Sequence, residues 1–461
     1  MVLQLSKWKT LGILFMPFAL IDYAAANSMM VDYAKKQLSI SNRINKLTVE
    51  EQQGAFPLIA NPENFNDSFD PKRFGKWQQV ELHPYTGATC GNGSPYKFYV
   101  NLSKGTTNLS INFEPGGACW DYPSCKGENG IRGARNINGI PNNYMNKVQT
   151  AYLTPFLYRN HYRDDFPAQD WTQVFLPYCT GDVHAGDRTV IYKDPEGEGK
   201  PYVWHHRGIR NARAVVAWIR ENLSQPEQML TTGCSAGGNG AIINYHYLRR
   251  DLQPTYSYML NDSGPVFNAL DNSNHWKSYP AHLSIRKSWG LDPLIDELSQ
   301  ELVGLTKQNL GSFYGALADY YPEDRLAYSH FREDLIYSAY SYERFYPEIY
   351  NQSDKKKRKK LLHKYWYQDT DNLIAELDKY GNWGYFFPQY RGLAGSHCTT
   401  ILEFTNSDIQ EAGLEFNDFV DNLFNRSSPL LKQVEYDGTR DFQRPVSWLY
   451  RIINIMMGVN D

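Results

Sequence analysis

One short run limits the architectures open to this chain more than any other. Gly233-Cys234-Ser235-Ala236-Gly237-Gly238 lies between a strand-like stretch at 228–232 and a helix-like stretch at 241–248. A strand that turns abruptly into a helix tolerates only small residues two places either side of the apex, where a Cβ would meet backbone across the turn. The apical hydroxyl of Ser235 then stands at the end of a sheet, beside the free N–H groups of a helix N-terminus. A bare G-x-S-x-G string is common by chance. The strand before it and the helix after it give it meaning, as a nucleophile elbow in an α/β layer.

The first residues read as an export signal. Lys7 and Lys9 precede an apolar run at 11–21, and Ala24-Ala25-Ala26 offers small residues for cleavage after Ala26. The run is too short to span a bilayer, and Asp22 interrupts its end. No later segment is long and apolar enough to cross a membrane. A secreted or periplasmic protein without a membrane span after signal cleavage is therefore expected. Its six cysteines, Cys90, Cys119, Cys125, Cys179, Cys234 and Cys398, then favour disulfides, and their spacing fits no zinc pattern. A net charge of −3 argues against nucleic acid as the main partner. The many tyrosines fit either glycan handling or plain aromatic packing.

Three segments are expected: the signal at 1–26, an N-terminal arm at 27–74, and an α/β domain over 75–461. In that domain strand and helix signals alternate, as a mostly parallel sheet requires. Strands are predicted at 96–102, 109–113, 173–176, 228–232, 257–260 and 326–329. Ile209, Ala212, Val216, Ile219 and Leu223 recur at helical spacing and predict an amphipathic helix. Two stretches break the alternation, an Asn- and Gly-rich one at 121–162 (containing Gly130-Ile131-Arg132-Gly133) and a helical, aromatic, basic one around 340–390. Both are expected as insertions over the active face. The basic run 355–360 reads as a solvated helix face.

A serine hydroxyl needs a base within reach and an acid to hold that base. In hydrolases built on such an elbow the chain order is serine, acid, histidine. His397, in the small-residue loop Gly395-Ser396-His397-Cys398, is the best base; His363 and His246 lie within helices and are poorly aimed. Asp334, just past the strand at 326–329, is the preferred acid, with Glu333 and Asp324 behind it. Asp262 also ends a strand, one step early in the chain. Acyl transfer further needs donors for the developing oxyanion. The Ala236 N–H supplies one, and the turn Glu114-Pro115-Gly116-Gly117-Ala118-Cys119, directly after a strand, fits the others. Cys119 and Cys125 are close enough to close a small stiffening loop. Asp182, His184 and Asp187 look metal-like on paper, but a strand-end loop explains them better. His206, with its neighbours Trp204 and His205, opens the predicted helix and could line the pocket.

Together, Gly233 to Gly238, the Glu114 to Cys119 turn, Tyr178-Cys179-Thr180-Gly181-Asp182-Val183-His184, Asp262-Ser263-Gly264 and Ser396-His397-Cys398 resemble the pectin acetylesterase/Notum family in order and content. The likeness covers about residues 75 to 400. It implies an α/β-hydrolase fold and a serine carboxylesterase that needs no metal or organic cofactor. It carries the nucleophile, acid and base to Ser235, Asp334 and His397, and the oxyanion donors to Gly117, Ala118 and Ala236. Where the family runs three glycines and then Trp, this chain has Pro115 in the first glycine place and Ala118 in the Trp place; Trp120 follows two residues on. That position borders substrate, so neither acyl group nor alcohol transfers from the resemblance. If Ser235 and His397 converge, Cys234 and Cys398 must also meet, and a disulfide could pin the two together.

The expected protein is thus a monomeric exported esterase acting on acylated carbohydrate, such as pectin, or another O-acyl ester. Trp120, Asp182, His184 and His206 are possible substrate contacts. The alternatives are a lipase-like or polyester hydrolase that prefers longer acyl chains, and a non-catalytic glycan-binding module on the same fold.

Overall fold

The computed structural model describes residues 69–83, 86–127, 134–147, 150, 153–159, 165–436 and 448–456. The expected signal, most of the expected arm and the Gly130–Gly133 stretch lie outside them. Eleven strands occur among the described residues. They are β1 (Trp77–Glu81), β2 (Lys97–Asn101), β3 (Leu109–Phe113), β4 (Thr172–Leu176), β5 (Arg188–Tyr192), β6 (Tyr202–His206), β7 (Gln228–Cys234), β8 (Tyr256–Asp262), β9 (Arg325–Ser329), β10 (Trp383–Phe387) and β11 (Lys432–Val434). Nine form one sheet in the order β1-β2-β4-β3-β7-β8-β9-β10-β11. Its first two neighbour pairs, β1 with β2 and β2 with β4, are antiparallel, and the rest are parallel. The expected α/β-hydrolase-like architecture, a mostly parallel sheet flanked by helices, is the one observed.

Side chains alternate across each strand and so feed two cores. On β8, Met259 joins one cluster while Tyr258 and Leu260 join the other. On β9 and β10, Leu326, Tyr328, Tyr385 and Phe387 point one way, and Ala327 and Phe386 the other. The main helices are α1 (Gly208–Asn222), α2 (Ala236–Leu252), α3 (Tyr279–Trp289), α4 (Leu291–Leu298), α5 (Phe313–Tyr320), α6 (Leu335–Tyr342), α7 (Lys355–Leu377), α8 (Phe416–Phe424) and α9 (Trp448–Met456). The predicted amphipathic helix is α1: Ile209, Ala212, Val216 and Ile219 are buried, and Leu223 caps its end. Helix α8 covers the opposite face through Phe416, Phe419, Val420 and Leu423. None of the described helices is long and apolar enough to cross a membrane.

Two expectations need correction. Trp204-His205-His206 does not open a helix. It belongs to β6, which pairs with β5 in a separate antiparallel hairpin, where the alternating register hides Trp204 and His206 and leaves His205 half-buried. The stretch around 340–390 is not all insertion either. Its basic run starts α7 on an exposed face, but the stretch ends in β10, a fully buried strand of the main sheet. An unbroken aromatic strand, Trp-Gly-Tyr-Phe-Phe, has no polar alternation to mark it in sequence, because both its faces are covered.

The site follows from the strand order. The chain runs from β3 outward to β4 and returns to β7 on the other side of β3. Connections therefore diverge at the carboxyl ends of β3 and β7, which opens a crevice at the switch point. The Glu114–Cys119 turn and Ser235 both emerge there.

Candidate active site

Ser235 separates the last residue of β7 from the first of α2, with φ 56° and ψ −122°. A non-glycine residue in such a conformation costs about 1–3 kcal/mol and persists only where its surroundings fix it. Here the fixing is close packing. A Cβ on Gly233 would lie 2.5 Å from the Gly237 carbonyl oxygen, and one on Gly237 would lie 2.0 Å from that of Phe113 on β3. The Ser235 N–H donates to the Asp262 carbonyl at 2.8 Å, tying the elbow to the next strand.

Asp334 caps α6, its Oδ1 accepting the Tyr337 N–H at 2.8 Å. Its Oδ2 lies 2.7 Å from His397 Nδ1. Asp334 is fully buried, and burial holds its pKa above the usual carboxylate value against the opposing pull of His397. The rival acids are engaged elsewhere: Asp324 with Arg249 and Tyr245, Asp262 with Thr399 and Thr400, and Glu333 with Gln389. His246 faces Glu301 and Tyr321.

The structure contains the bond Cys234–Cys398, which joins the residue before Ser235 to the residue after His397 across 164 positions of sequence. A ring nitrogen of His397 lies within 4.8 Å of both sulfurs. Ser235 and the imidazole are thus neighbours without a direct hydrogen bond. Ser235 is 8% exposed and His397 6%. Cys119 pairs with Cys125 as anticipated, and Cys90 with Cys179.

The Glu114–Cys119 turn is held from below. Glu114 is fully buried, and its carboxylate accepts the Tyr144 hydroxyl at 2.5 Å, the Tyr178 N–H at 2.7 Å and the Asn136 amide at 3.3 Å, with Arg135 at 3.5 Å. Its carbonyl accepts a hydrogen bond from His184 Nε2 at 2.9 Å. Burial pushes the His184 pKa down to about 4, so the ring is a neutral donor. Gly117 has φ 67°, a backbone that suits glycine. The Cys119 N–H bonds to the Gly181 carbonyl at 2.7 Å, and the Trp289 indole N–H to the Cys119 carbonyl at 2.7 Å. Sequence reasoning missed Glu114. The available signal was a carboxylate placed directly after the apolar end, Phe113, of a fully buried strand, where only an internal partner set can keep it.

Of the four possible substrate contacts, the structure places Trp120 on the rim and the other three inside the scaffold. Trp120 packs edge-on against Tyr340 at 4.7 Å and lines an open groove of about 520 Å³ with Ala118, Asp121, Glu343 and Arg344. Asp182 accepts from Thr180 Oγ1 at 2.6 Å and from the first N–H of α1, Gly208, at 2.8 Å. Burial pushes its pKa up to about 7. His206 is buried against the Tyr192 hydroxyl and the Thr180 carbonyl, its pKa pushed down to about 3 by burial. A second, apolar cavity of about 70 Å³ lies behind Tyr337 and Tyr340, lined by Val183, Ile243, Phe267 and Trp289 among others. The Tyr337 ring stands 6.3 Å from that of His397. Tyr340 begins the aromatic stretch expected over the active face, whereas Tyr337, one turn earlier on the same helix, was not singled out.

Comparison with known proteins agrees with the motif resemblance. Residues 72–286 match the pectinacetylesterase family. The chain is 25% identical over 194 residues to palmitoleoyl-protein carboxylesterase notum2 of Xenopus laevis, covering 41% of this chain and 36% of that protein. It is 25% identical over 189 residues to pectin acetylesterase 4 of Arabidopsis thaliana, covering 40% and 42%. The human palmitoleoyl-protein carboxylesterase NOTUM is 25% identical over 176 residues, covering 36% and 31%. The chain thus spans less than half the length of each of these relatives. The family match includes the elbow and the Glu114 turn but ends before Asp334 and His397.

Proposed function

We propose that this chain is an exported serine carboxylesterase that removes short O-acyl groups, acetyl foremost, from an acylated carbohydrate such as pectin. The observation that carries the reading is the 2.7 Å bond from Asp334 to His397 Nδ1, in a loop pinned beside Ser235 by a disulfide. With Nδ1 engaged, Nε2 is the nitrogen left to take the Ser235 proton. Ser235 Oγ then attacks the ester carbonyl, and Asp334 stabilises the imidazolium that forms. The N–H groups of Gly117, Ala118 and Ala236 receive the oxyanion. His397 returns the proton to the departing alcohol, and water, activated by the same imidazole, releases the acid from the acyl-enzyme.

The relatives' names, pectin acetylesterase and palmitoleoyl-protein carboxylesterase, both describe removal of an acyl group. Two observations favour the short-acyl side. The apolar cavity behind Tyr337 is only about 70 Å³, whereas a cavity that holds benzene is about 150 Å³. The larger groove carries charged and aromatic side chains suited to a polar alcohol. Three disulfides among the described residues fit an oxidising compartment outside the cytosol.

The test is acetate release from acetylated glycans, run beside p-nitrophenyl esters of rising chain length, with wild type and Ser235→Ala. Acetyl esters should be preferred, and Ser235→Ala should abolish turnover. A preference for octanoate would favour the lipase-like alternative. Glycan binding with no turnover by wild type would favour the binding module.

A further inference from the structure

Asp262 takes no part in the chemistry just described, yet its two ends face the two halves of the site. Its backbone carbonyl holds the Ser235 N–H at 2.8 Å. Its fully buried carboxylate accepts five hydrogen bonds. Oδ1 takes the Thr399 N–H at 2.9 Å, the Thr399 hydroxyl at 2.9 Å and the Ser263 hydroxyl at 2.9 Å. Oδ2 takes the Thr400 N–H at 2.9 Å and the Thr400 hydroxyl at 2.7 Å. Four of the five donors thus belong to the residues two and three places after His397. A carboxylate can stay buried when donors saturate it, and here the donors are the base loop itself.

That loop needs holding. Ala394, Gly395, Ser396 and Cys398 have φ of 53°, 61°, 57° and 65°, a left-handed run that non-glycine residues avoid. The Cys234–Cys398 bond pins it at one point only, so the backbone either side of Cys398 needs a second restraint. We infer that Asp262 is a positioning residue that, together with the Cys234–Cys398 bond, fixes the His397 loop against the Ser235 elbow through one side chain and its own carbonyl. The inference rests on the esterase reading. An asparagine cannot substitute: the Thr hydroxyls could turn round to accept from its NH₂, but one peptide N–H, of Thr399 or Thr400, would face a donor.

The experiment compares Asp262→Asn, Thr400→Val, Ser263→Ala and Ser235→Ala with wild type in the full chain. It measures kcat, KM and thermal midpoint on p-nitrophenyl acetate. Asp262→Asn should lower kcat by about 30-fold or more with KM within about threefold. Thr400→Val, which keeps the peptide donor and loses the hydroxyl, should fall between it and wild type. Ser263→Ala removes a donor that is not on the base loop and should leave kcat within about threefold. The inference is overturned if Asp262→Asn keeps wild-type kcat, or if its lost activity matches its lost folded fraction. Should Asp262→Asn not fold, Thr400→Val becomes the deciding variant, and an unchanged kcat there overturns the inference. An active Ser235→Ala would instead sink the esterase reading itself, whatever Asp262 does.

Discussion

Cys234 and Cys398 are covalently joined, and each is the chain neighbour of a proposed catalytic residue, Ser235 on one side and His397 on the other. A flexible loop therefore cannot carry the base away from the nucleophile without breaking a covalent bond or distorting the elbow. This tether acts at the backbone, whereas the bond to Asp334 orients the ring.

Removing the tether should cost turnover more than binding. In the double variant Cys234→Ser with Cys398→Ser, kcat should fall about 10- to 100-fold with KM within about threefold, since small misplacements of reacting groups carry penalties of that size. The lost cross-link should also lower stability by about 2–5 kcal/mol. Kinetics are accordingly compared well below the variant's melting temperature. A folded variant with wild-type kcat would show that the tether is dispensable.

Asp334→Asn separates chemistry from fold. Asparagine caps a helix about as well as aspartate, so α6 and the melting temperature should change little. The amide, however, favours the wrong imidazole tautomer and leaves no anion beside the imidazolium, so kcat should drop on the order of 10⁴-fold. Retention of more than a tenth of wild-type activity would reassign the acid.

His206 makes a stability prediction with a definite sign. Its pKa is held at about 3 in the folded chain, against 6.5 when free. Between pH 6.5 and 3 the unfolded chain binds a proton at this ring and the folded chain does not, so this contribution to stability falls as pH falls. From pH 7 to pH 5 the loss is about 2 kcal/mol. His206→Gln lacks that titration. Its stability deficit against wild type at pH 7 should therefore narrow by about 2 kcal/mol at pH 5, as read by urea denaturation. A deficit that is constant or widens on acidification would contradict a neutral buried His206.

Tyr340 borders both the open groove and the small apolar cavity. Tyr340→Ala should join the two and admit longer acyl chains. The ratio of kcat/KM for octanoate over acetate esters should rise about tenfold, chiefly through the longer ester. An unchanged ratio would mean that the acyl group does not reach this cavity.

The elbow, the parallel alternation and the Glu114–Cys119 turn were legible from residues 228–248 and 109–119 because each is local. Strand period, glycine placement and helix period sit within a few residues and depend on near neighbours. The hairpin Arg188–Tyr192 with Tyr202–His206 and the strand Trp383–Phe387 were not legible. The pairing and double-sided burial of the strand are set by β9 and β11, partners distant in sequence that override local pattern. The hairpin pairs near neighbours, and Trp204-His205-His206 was obscured because it runs straight into α1. Sequence alone could name Ser235 and favour His397. It left Asp334, Glu333, Asp324 and Asp262 as competing carboxylates, since all four are acids at or near strand ends. Only the tertiary structure separates them, by placing Asp334 at 2.7 Å from the imidazole and engaging the others elsewhere, which is why Asp334 is the proposed acid. The reason is that a carboxylate's role depends on which hydrogen-bond donors folding brings to it, and those donors come from sequence positions far outside any local pattern.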